Sequence, residues 1–322
     1  MFDLNLGNLG KESKKIDTNT LYDSIIIGGG PAGITASIYL KRKGLNPAII
    51  AKKIGGQVTD TTSVENYTGY EYITGHDLAM NFKNHADSLG VPLKEGYEVT
   101  NVSHNGTYSI TTDDGEIYKT KTIIIATGSK PKHLGVPGEE KYYGRGVTYC
   151  AICDGPLFSE RDVIVAGGGN SAVEAALDLS KIANSVTIVH RSELRADQIL
   201  IDKINNTPNI KVHLQTQIKE IIGEKLVKKV IAYDKTKDEE IEFDVNGVFV
   251  EIGYLPNSDI FKDLVELNSR NEIVVNSINE TSKEGIFAAG DVTNVSYKQI
   301  VISAGEGSKA ALSVNEYLNK MK

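Results

Sequence analysis

Asp23-Ser24-Ile25-Ile26-Ile27, running straight into Gly28-Gly29-Gly30-Pro31-Ala32-Gly33, is the stretch on which the fold turns. A short β-branched run of this kind reads as a buried parallel strand. The residues that follow, from Ile34 to Lys43, read as a helix. In a strand–turn–helix of this form Gly28 makes the tight turn and Gly30 lets the backbone approach a pyrophosphate. Gly33 lets helix and strand pack closely, and the helix N-terminus faces the phosphates. The pattern recurs. Asp162-Val-Ile-Val-Ala166 leads into Gly167-Gly168-Gly169-Asn170-Ser171-Ala172, a helix to about Ile182 and a strand from Ser185 to Val189. One glycine turn is weak evidence for a ligand. Two, each between a strand and a helix, predict two bound dinucleotides; the competing reading is a pair of glycine-rich turns that hold nothing.

Working outward, a chain of 322 residues suggests two domains. Thr122-Ile-Ile-Ile-Ala-Thr127-Gly128 reads as a further buried strand ending in a turn, and Ser129 to Glu140 has the composition of a linker. The second dinucleotide unit then runs to about Gly253, and Tyr254-Leu-Pro256-Asn257 is a second crossing. The remainder, with Gly285-Ile-Phe-Ala-Ala-Gly290-Asp291 as strand and turn, lacks a core of its own and is predicted to complete the first domain. The expected fold is therefore α/β, with two Rossmann-like three-layer dinucleotide-binding domains, the second inserted in the first. The boundaries are 1–20 for a flexible arm, 21–130 with 257–322 for the first domain, and 131–256 for the second. A formal charge of -7 argues against a nucleic-acid partner. No apolar stretch reaches the roughly 18–20 residues of a membrane span. The N-terminus has no apolar core region, so no signal peptide is expected and the cytoplasm is the predicted compartment.

Cys150 and Cys153 are the only cysteines. Without a secretory signal, such a pair is read as catalytic or metal-binding rather than as a structural staple. Tetrahedral zinc needs two further ligands at suitable spacing, and no His pair or second Cys pair supplies them, so no metal is expected. A redox-active disulfide remains as the reading.

Taken in order, the glycine turn at 28–33, Gly55-Gly56-Gln57, Val64-Glu65-Asn66-Tyr67, Ala126-Thr127-Gly128, Cys150-x-x-Cys153-Asp154, the second glycine turn and Ala288-Ala289-Gly290-Asp291 resemble the low-molecular-weight thioredoxin reductases, FAD-dependent disulfide reductases. Cys153-Asp-Gly-Pro-Leu-Phe158, Ala196-Asp-Gln198, Tyr297-Lys-Gln-Ile300 and Gly305-Glu-Gly307 are more similar still to the reductase half of the alkyl hydroperoxide reductase flavoprotein. That flavoprotein carries N-terminal thioredoxin-like modules, which are expected to be absent here. The resemblance implies FAD in the first domain, held at Gly28, Gly30, Pro31, Ala32 and Gly33. Gly56, Gln57, Asn66, Thr127 and Gly128 line the flavin side. Gly290 and Asp291 lie at the ribityl chain, and Gln299 and Ile300 along the isoalloxazine. The acidic residue that the simple dinucleotide rule places about 20 positions after the glycines is missing, because Ala51-Lys52-Lys53 stands there. FAD therefore rests on the family pattern.

The resemblance places a nicotinamide cofactor on Gly167, Gly169, Asn170, Ser171, Ala172, His190, Arg191 and Arg195. Thioredoxin reductases carry His-Arg-Arg-x-x-x-Arg here, whose arginines clamp the 2′-phosphate of NADPH. This chain reads His190-Arg191-Ser192-Glu193-Leu194-Arg195, one arginine and one residue short. Arg191 and Arg195 still offer two guanidinium groups to a phosphate; Glu193 is the candidate acidic clamp for NADH, and a plain surface loop is the third reading. NADPH is favoured, with NADH admitted.

By the same resemblance a hydride passes from nicotinamide to flavin and an electron pair from flavin to the disulfide. Cys153 lies nearest the flavin, Cys150 attacks a partner's disulfide, and Asp154 manages thiol protons. The inserted domain would rotate about crossings near Pro131 and Pro256 at each turnover. The expected activity is thioredoxin-disulfide reductase, in a homodimer, with a thioredoxin- or glutaredoxin-like protein or a peroxiredoxin system as partner. Two alternatives are the same chemistry with ferredoxin or a deazaflavin as donor, and a non-enzymatic flavoprotein redox sensor.

Overall fold

The computed structural model describes residues 14–61 and 64–321. The chain divides into two units, one of residues up to Lys130 together with those from Leu255, the other Pro131–Tyr254.

The first unit opens with β1 (Leu21–Gly29), α1 (Pro31–Arg42), β2 (Pro47–Ile54), α2 (Gly75–Ser88), β3 (Leu93–Glu95), β4 (Val99–Asn105), β5 (Thr107–Thr112) and β6 (Ile117–Ile125). β1 lies between β2 and β6, parallel to both, with Ile25 opposite Ile123 and Ile27 opposite Ile125. Successive side chains of a strand point to opposite faces. Ile26 and Ile124 accordingly join the cluster under α1, while Ile25, Ile27, Ile123 and Ile125 join the cluster on the other face. Burying each such isoleucine contributes about 1.5–3 kcal/mol, which is why so continuous an apolar run forms a central strand. β6 begins five residues before the strand expected at Thr122. Its first half pairs antiparallel with β5, where one face is solvated and side chains alternate, so that part carries no continuous apolar run.

The arm expected over residues 1–20 is not free at its described end. Leu93 N–H donates to Lys14 O at 2.8 Å, Asp17 N–H donates to the Tyr22 hydroxyl at 2.9 Å, and Ile16 packs on the apolar cluster. Residues 1–13 lie outside the described residues.

The chain leaves the first unit through β7 (Ser129–Pro131). The second unit holds β8 (Val147–Thr148), α3 (Ala151–Asp154), β9 (Asp162–Ala166), α4 (Asn170–Leu179), β10 (Ser185–Val189), α5 (Gln198–Asn205), β11 (Ile210–His213), β12 (Thr216–Gly223), β13 (Val227–Asp234), β14 (Glu239–Asp244) and β15 (Gly247–Val250). Its main sheet runs β11-β10-β9-β15-β8, parallel throughout, and β12-β13-β14 form an antiparallel sheet.

The return is β16 (Tyr254–Pro256), paired with β7; then come β17 (Ile286–Ala288) and α6 (Ile300–Lys320). β17 adds parallel to β6, with Ile286 opposite Ile123. α6 lies against α1 at Gly307, where a Cβ would come within 2.0 Å of Ala32 O. The second domain is thus inserted in the first, and both are Rossmann-like. Among the described residues no helix is long and apolar enough to cross a membrane.

Candidate functional site

In the first glycine turn Gly28, Gly30 and Gly33 meet different demands. Gly28 has φ +121°, and a Cβ there would stand 2.1 Å from Ala126 O. A Cβ on Gly33 would stand 2.0 Å from Gly28 O. Both are packing glycines, with backbone on the side a methyl would need. Gly30 differs. Its φ of -79° suits any residue, and a Cβ would meet nothing within 4 Å among the described residues. It is also the N-cap of α1, whose first N–H groups have no side-chain cap, with Pro31 in the first turn where the missing N–H costs least.

Around this turn the residues expected at a flavin gather. Gly56, at φ +56°, lies beside Gly30, and Gly290, at φ +78°, lies against Ala32. Asn66 Nδ2 donates to Gln299 Oε1 at 3.3 Å, joining segments far apart in sequence. Gln57 Nε2 donates to Ser129 O at 2.6 Å, and Ser129 Oγ is buried with no hydrogen-bond partner among the described residues. Thr127 Oγ1 donates to Asn257 O at 2.7 Å; Asn257 Nδ2 returns a bond to Thr127 O, and Asn257 N–H donates to Gly128 O. Asp291 accepts from Ser303 Oγ at 3.0 Å. Burial pushes its carboxyl up, opposed by that hydroxyl and by Lys298. Ile300 begins α6 and packs on the small cluster around Val58 and Leu78.

The second turn repeats the scheme. Gly167 has φ +155° and a Cβ would stand 2.3 Å from Glu251 O, whereas Gly169, the N-cap of α4 at φ -93°, opens to nothing within 4 Å among the described residues. Asn170 and Asp197 exchange bonds of 2.9 and 2.8 Å. Ser171 is exposed and Ala172 buried beside Gly167. His190 is buried against Gly168, and burial, then Arg195 and Arg191, hold its pKa below the usual imidazole value. Arg195 N–H donates to Gly168 O at 2.7 Å, which folds the arginine loop back onto the glycine turn. Arg191 and Arg195 are exposed and form no ion pair among the described residues. Glu193 accepts from Gln215 Nε2 at 3.0 Å. Lys235, which the sequence did not single out, brings another cation to the loop, its Nζ 3.5 Å from Arg191 O.

In the same unit Cys150 and Cys153 form a disulfide, with Cα atoms 5.3 Å apart. Cys150 is the N-cap of the single turn α3, and its Sγ accepts Cys153 N–H at 3.2 Å. Asp154 is bonded by the Thr148 hydroxyl, which also accepts Cys150 N–H at 3.3 Å; burial pushes the Asp154 carboxyl up, partly offset by that hydroxyl. Two groups absent from the sequence reading brace this turn. Glu139 is buried and accepts from the Tyr149 hydroxyl at 2.9 Å and from Leu134 and Gly135 N–H. Glu251 Oε1 accepts Ala151 N–H at 3.4 Å. Among the described residues no cluster of His, Cys, Asp and Glu suits a metal.

The family profile described as pyridine nucleotide-disulphide oxidoreductase matches residues 22–307. An alkyl hydroperoxide reductase component of Staphylococcus aureus is 42% identical over 317 residues, covering 97% of this chain and 62% of that protein. The Pseudomonas putida protein of the same name is 42% identical over 321 residues, 98% of this chain and 61% of its own length. The chain thus spans under two thirds of these curated relatives. The structure of thioredoxin reductase from Streptococcus pyogenes superposes with a TM-score of 0.88 at 39% identity, covering 94% of this chain and 99% of that one. That of Giardia duodenalis gives 0.87 at 31%, covering 94% and 100%.

Proposed function

The chain belongs to the pyridine nucleotide-disulphide oxidoreductase family, and from that premise we propose that it reduces a protein disulfide through Cys150 and Cys153 at the expense of NADPH. When bound, FAD and a nicotinamide would supply two-electron transfer to the disulfide. The residues present suit both groups. At Gly30 and Gly169 the chain uses glycine where neither φ nor a neighbour demands it, which is what a ligand pressed against the backbone requires. The open position in each turn is the observation that carries the reading.

On this proposal Gly28, Gly30, Pro31, Ala32 and Gly33 hold the FAD pyrophosphate. Gly56, Gln57, Asn66, Thr127, Gly128, Gly290, Asp291, Gln299 and Ile300 hold the rest of it. Gly167, Gly169, Asn170, Ser171 and Ala172 hold the nicotinamide dinucleotide. The NADPH preference is supported by Arg191 and Arg195, free of carboxylate partners among the described residues, and by Glu193 being engaged with Gln215. Cys150 is the exchanging thiol, because Cys153 N–H is placed to stabilise a thiolate on it, and the thiolate is the nucleophile. Asp154 moves protons at this turn. The partner is a thioredoxin- or glutaredoxin-like protein, or a peroxiredoxin of the kind the alkyl hydroperoxide reductases' name suggests.

The test is anaerobic reduction of the flavin by NADPH, NADH, reduced ferredoxin and a reduced deazaflavin in turn, followed by electron delivery to a thioredoxin. Rapid reduction by NADPH and loss of the thioredoxin disulfide are expected. Reduction only by ferredoxin or the deazaflavin overturns the nicotinamide assignment. Flavin reduction with no disulfide reduced overturns the activity.

A further inference from the structure

Glu251 has no part in the scheme above, yet it sits against the thiol turn. It follows β15 directly. Its N–H donates to Ala166 O at 2.8 Å, and its carbonyl oxygen occupies the space a Cβ on Gly167 would need, so its backbone is fixed at the foot of the second glycine turn. Its carboxyl accepts the N–H of Ala151, the residue between the exchanging thiol and the rest of α3. It forms no ion pair among the described residues. The titratable groups on the elements packed around it are Cys150, Cys153 and Asp154 on the thiol turn, His190 at the end of β10, and Lys132, whose Nζ stands 4.0 Å from the Cβ position of Gly253 and makes no ion pair with Glu251 among the described residues. His190 is held towards neutrality by burial and the two arginines, and Asp154 is taken up by the Thr148 hydroxyl. No cation therefore offsets the burial of Glu251, which pushes its carboxyl up to about 7, against only the one backbone N–H.

We propose that Glu251 takes up a proton when the Cys150–Cys153 disulfide is reduced, so that Cys150 is kept as a thiolate. Two electrons enter the S–S bond and break it. Cys153 takes one proton and becomes a thiol, Cys150 retains its charge, and the second proton goes to the Glu251 carboxylate. A two-electron donor that releases two protons on oxidation, a dithiol for example, balances the step. The physical cause is like-charge repulsion. A thiolate appearing beside Ala151 raises the proton affinity of the carboxylate bonded to Ala151 N–H, and a neutral carboxyl in turn favours the thiolate. Glu251 acts on Cys150 through this turn and is a positioning residue.

This inference rests on the proposed reading that the disulfide is the redox centre, and the test separates the two. Holoenzyme and Glu251→Gln are equilibrated with mixtures of reduced and oxidised dithiothreitol from about pH 6 to about pH 9, and the reduced fraction is counted by alkylation and mass. Glutamine keeps an oxygen for Ala151 N–H. Above about pH 7 the equilibrium constant for reduction should be independent of pH in the unaltered protein, since the two protons taken up match the two the dithiol releases, and should rise about tenfold per pH unit in the variant, one decade for the one proton it does not take up. Equal slopes across the range overturn the inference. Infrared difference spectra give a second reading that does not depend on that variant folding. Reduction should add a protonated carboxyl band in the unaltered protein and in Asp154→Asn. A band lost in Asp154→Asn assigns the proton to Asp154 and overturns the inference. A disulfide that dithiothreitol cannot open at any pH overturns the proposed function, and this inference with it.

Discussion

Replacing Gly30 by alanine separates a ligand glycine from a packing glycine. At φ -79° and ψ -174° alanine adopts the native backbone without strain, and its methyl meets no atom of the described residues within 4 Å. In the protein without cofactor the substitution should be neutral or stabilising. Gly→Ala at a compatible position gains about 0.4–1 kcal/mol by restricting the unfolded chain, which raises Tm by roughly 1–4 °C for a unit of this size. The same methyl would project into the space proposed for the FAD pyrophosphate. Forcing an extra methyl into a filled site costs about 1–3 kcal/mol, or roughly fivefold to a hundredfold in Kd. Gly33→Ala is the contrast. Its methyl would stand 2.0 Å from Gly28 O, a backbone atom that cannot step aside, so Tm should fall with or without cofactor. The assay is thermal unfolding of deflavinated protein beside FAD titration by quenching of flavin fluorescence. If Gly30→Ala binds FAD with unaltered Kd, no pyrophosphate rests on this turn and the reasoning from open glycines fails.

Other outcomes follow from the remaining groups. Gly169→Ala should weaken nicotinamide binding by a similar factor while leaving FAD content unchanged, as measured by kinetics and flavin absorbance. Cys150→Ser and Cys153→Ser should each abolish reduction of a thioredoxin disulfide while flavin reduction by NADPH continues, which stopped-flow absorbance will resolve. Arg191→Ala should raise KM for NADPH by roughly tenfold to a hundredfold, the scale of one charged hydrogen bond of about 1.5–3 kcal/mol, and alter KM for NADH little. Glu251 carries a pH signature in stability. Its pKa of about 7 in the fold exceeds the 4.5 of the free side chain, so the unfolded chain releases this proton first. The unaltered protein should therefore lose roughly 2–4 kcal/mol as pH rises from about 4.5 to about 7, and no more from this group above that. Glu251→Gln should escape that loss, and urea unfolding at the two ends of the window measures the difference.

The sequence carried what the backbone demands and hid what the side chains find across space. The runs Ile25–Ile27 and Ile123–Ile125 lie in a sheet buried on both faces, so each is apolar throughout and readable as a strand. β12 to β14 were not readable. Glu239–Asp244, for one, carries four acidic residues in six, and the alternation of Ile241 and Phe243 with them is too short to mark a strand without its partner. The glycine turns stood out because only glycine tolerates a carbonyl 2.1 Å from its Cβ position at Gly28 or 2.3 Å at Gly167. Glu251 gave no signal, since its partner Ala151 lies 100 residues earlier and a lone acidic residue after a strand has many meanings. Lys235 was hidden for the same reason, coming to Arg191 from the end of β13.

The two glycine turns also test each other within one chain. At the first position, Gly28 and Gly167 share a positive φ and a carbonyl oxygen in the way of any methyl. At the third they differ, for Gly33 faces Gly28 O at 2.0 Å, while its counterpart Ala172 carries a methyl that the absent side chain of Gly167 accommodates. Packing there has two solutions, and the chain uses both. At the middle position, Gly30 and Gly169 are alike in everything that packing leaves free: ordinary φ, open space, the N-cap of a helix without a side-chain cap. Packing cannot explain a glycine kept twice where packing asks for none. A dinucleotide laid against the backbone at both helix starts can, because its phosphates need the N–H groups and the space together.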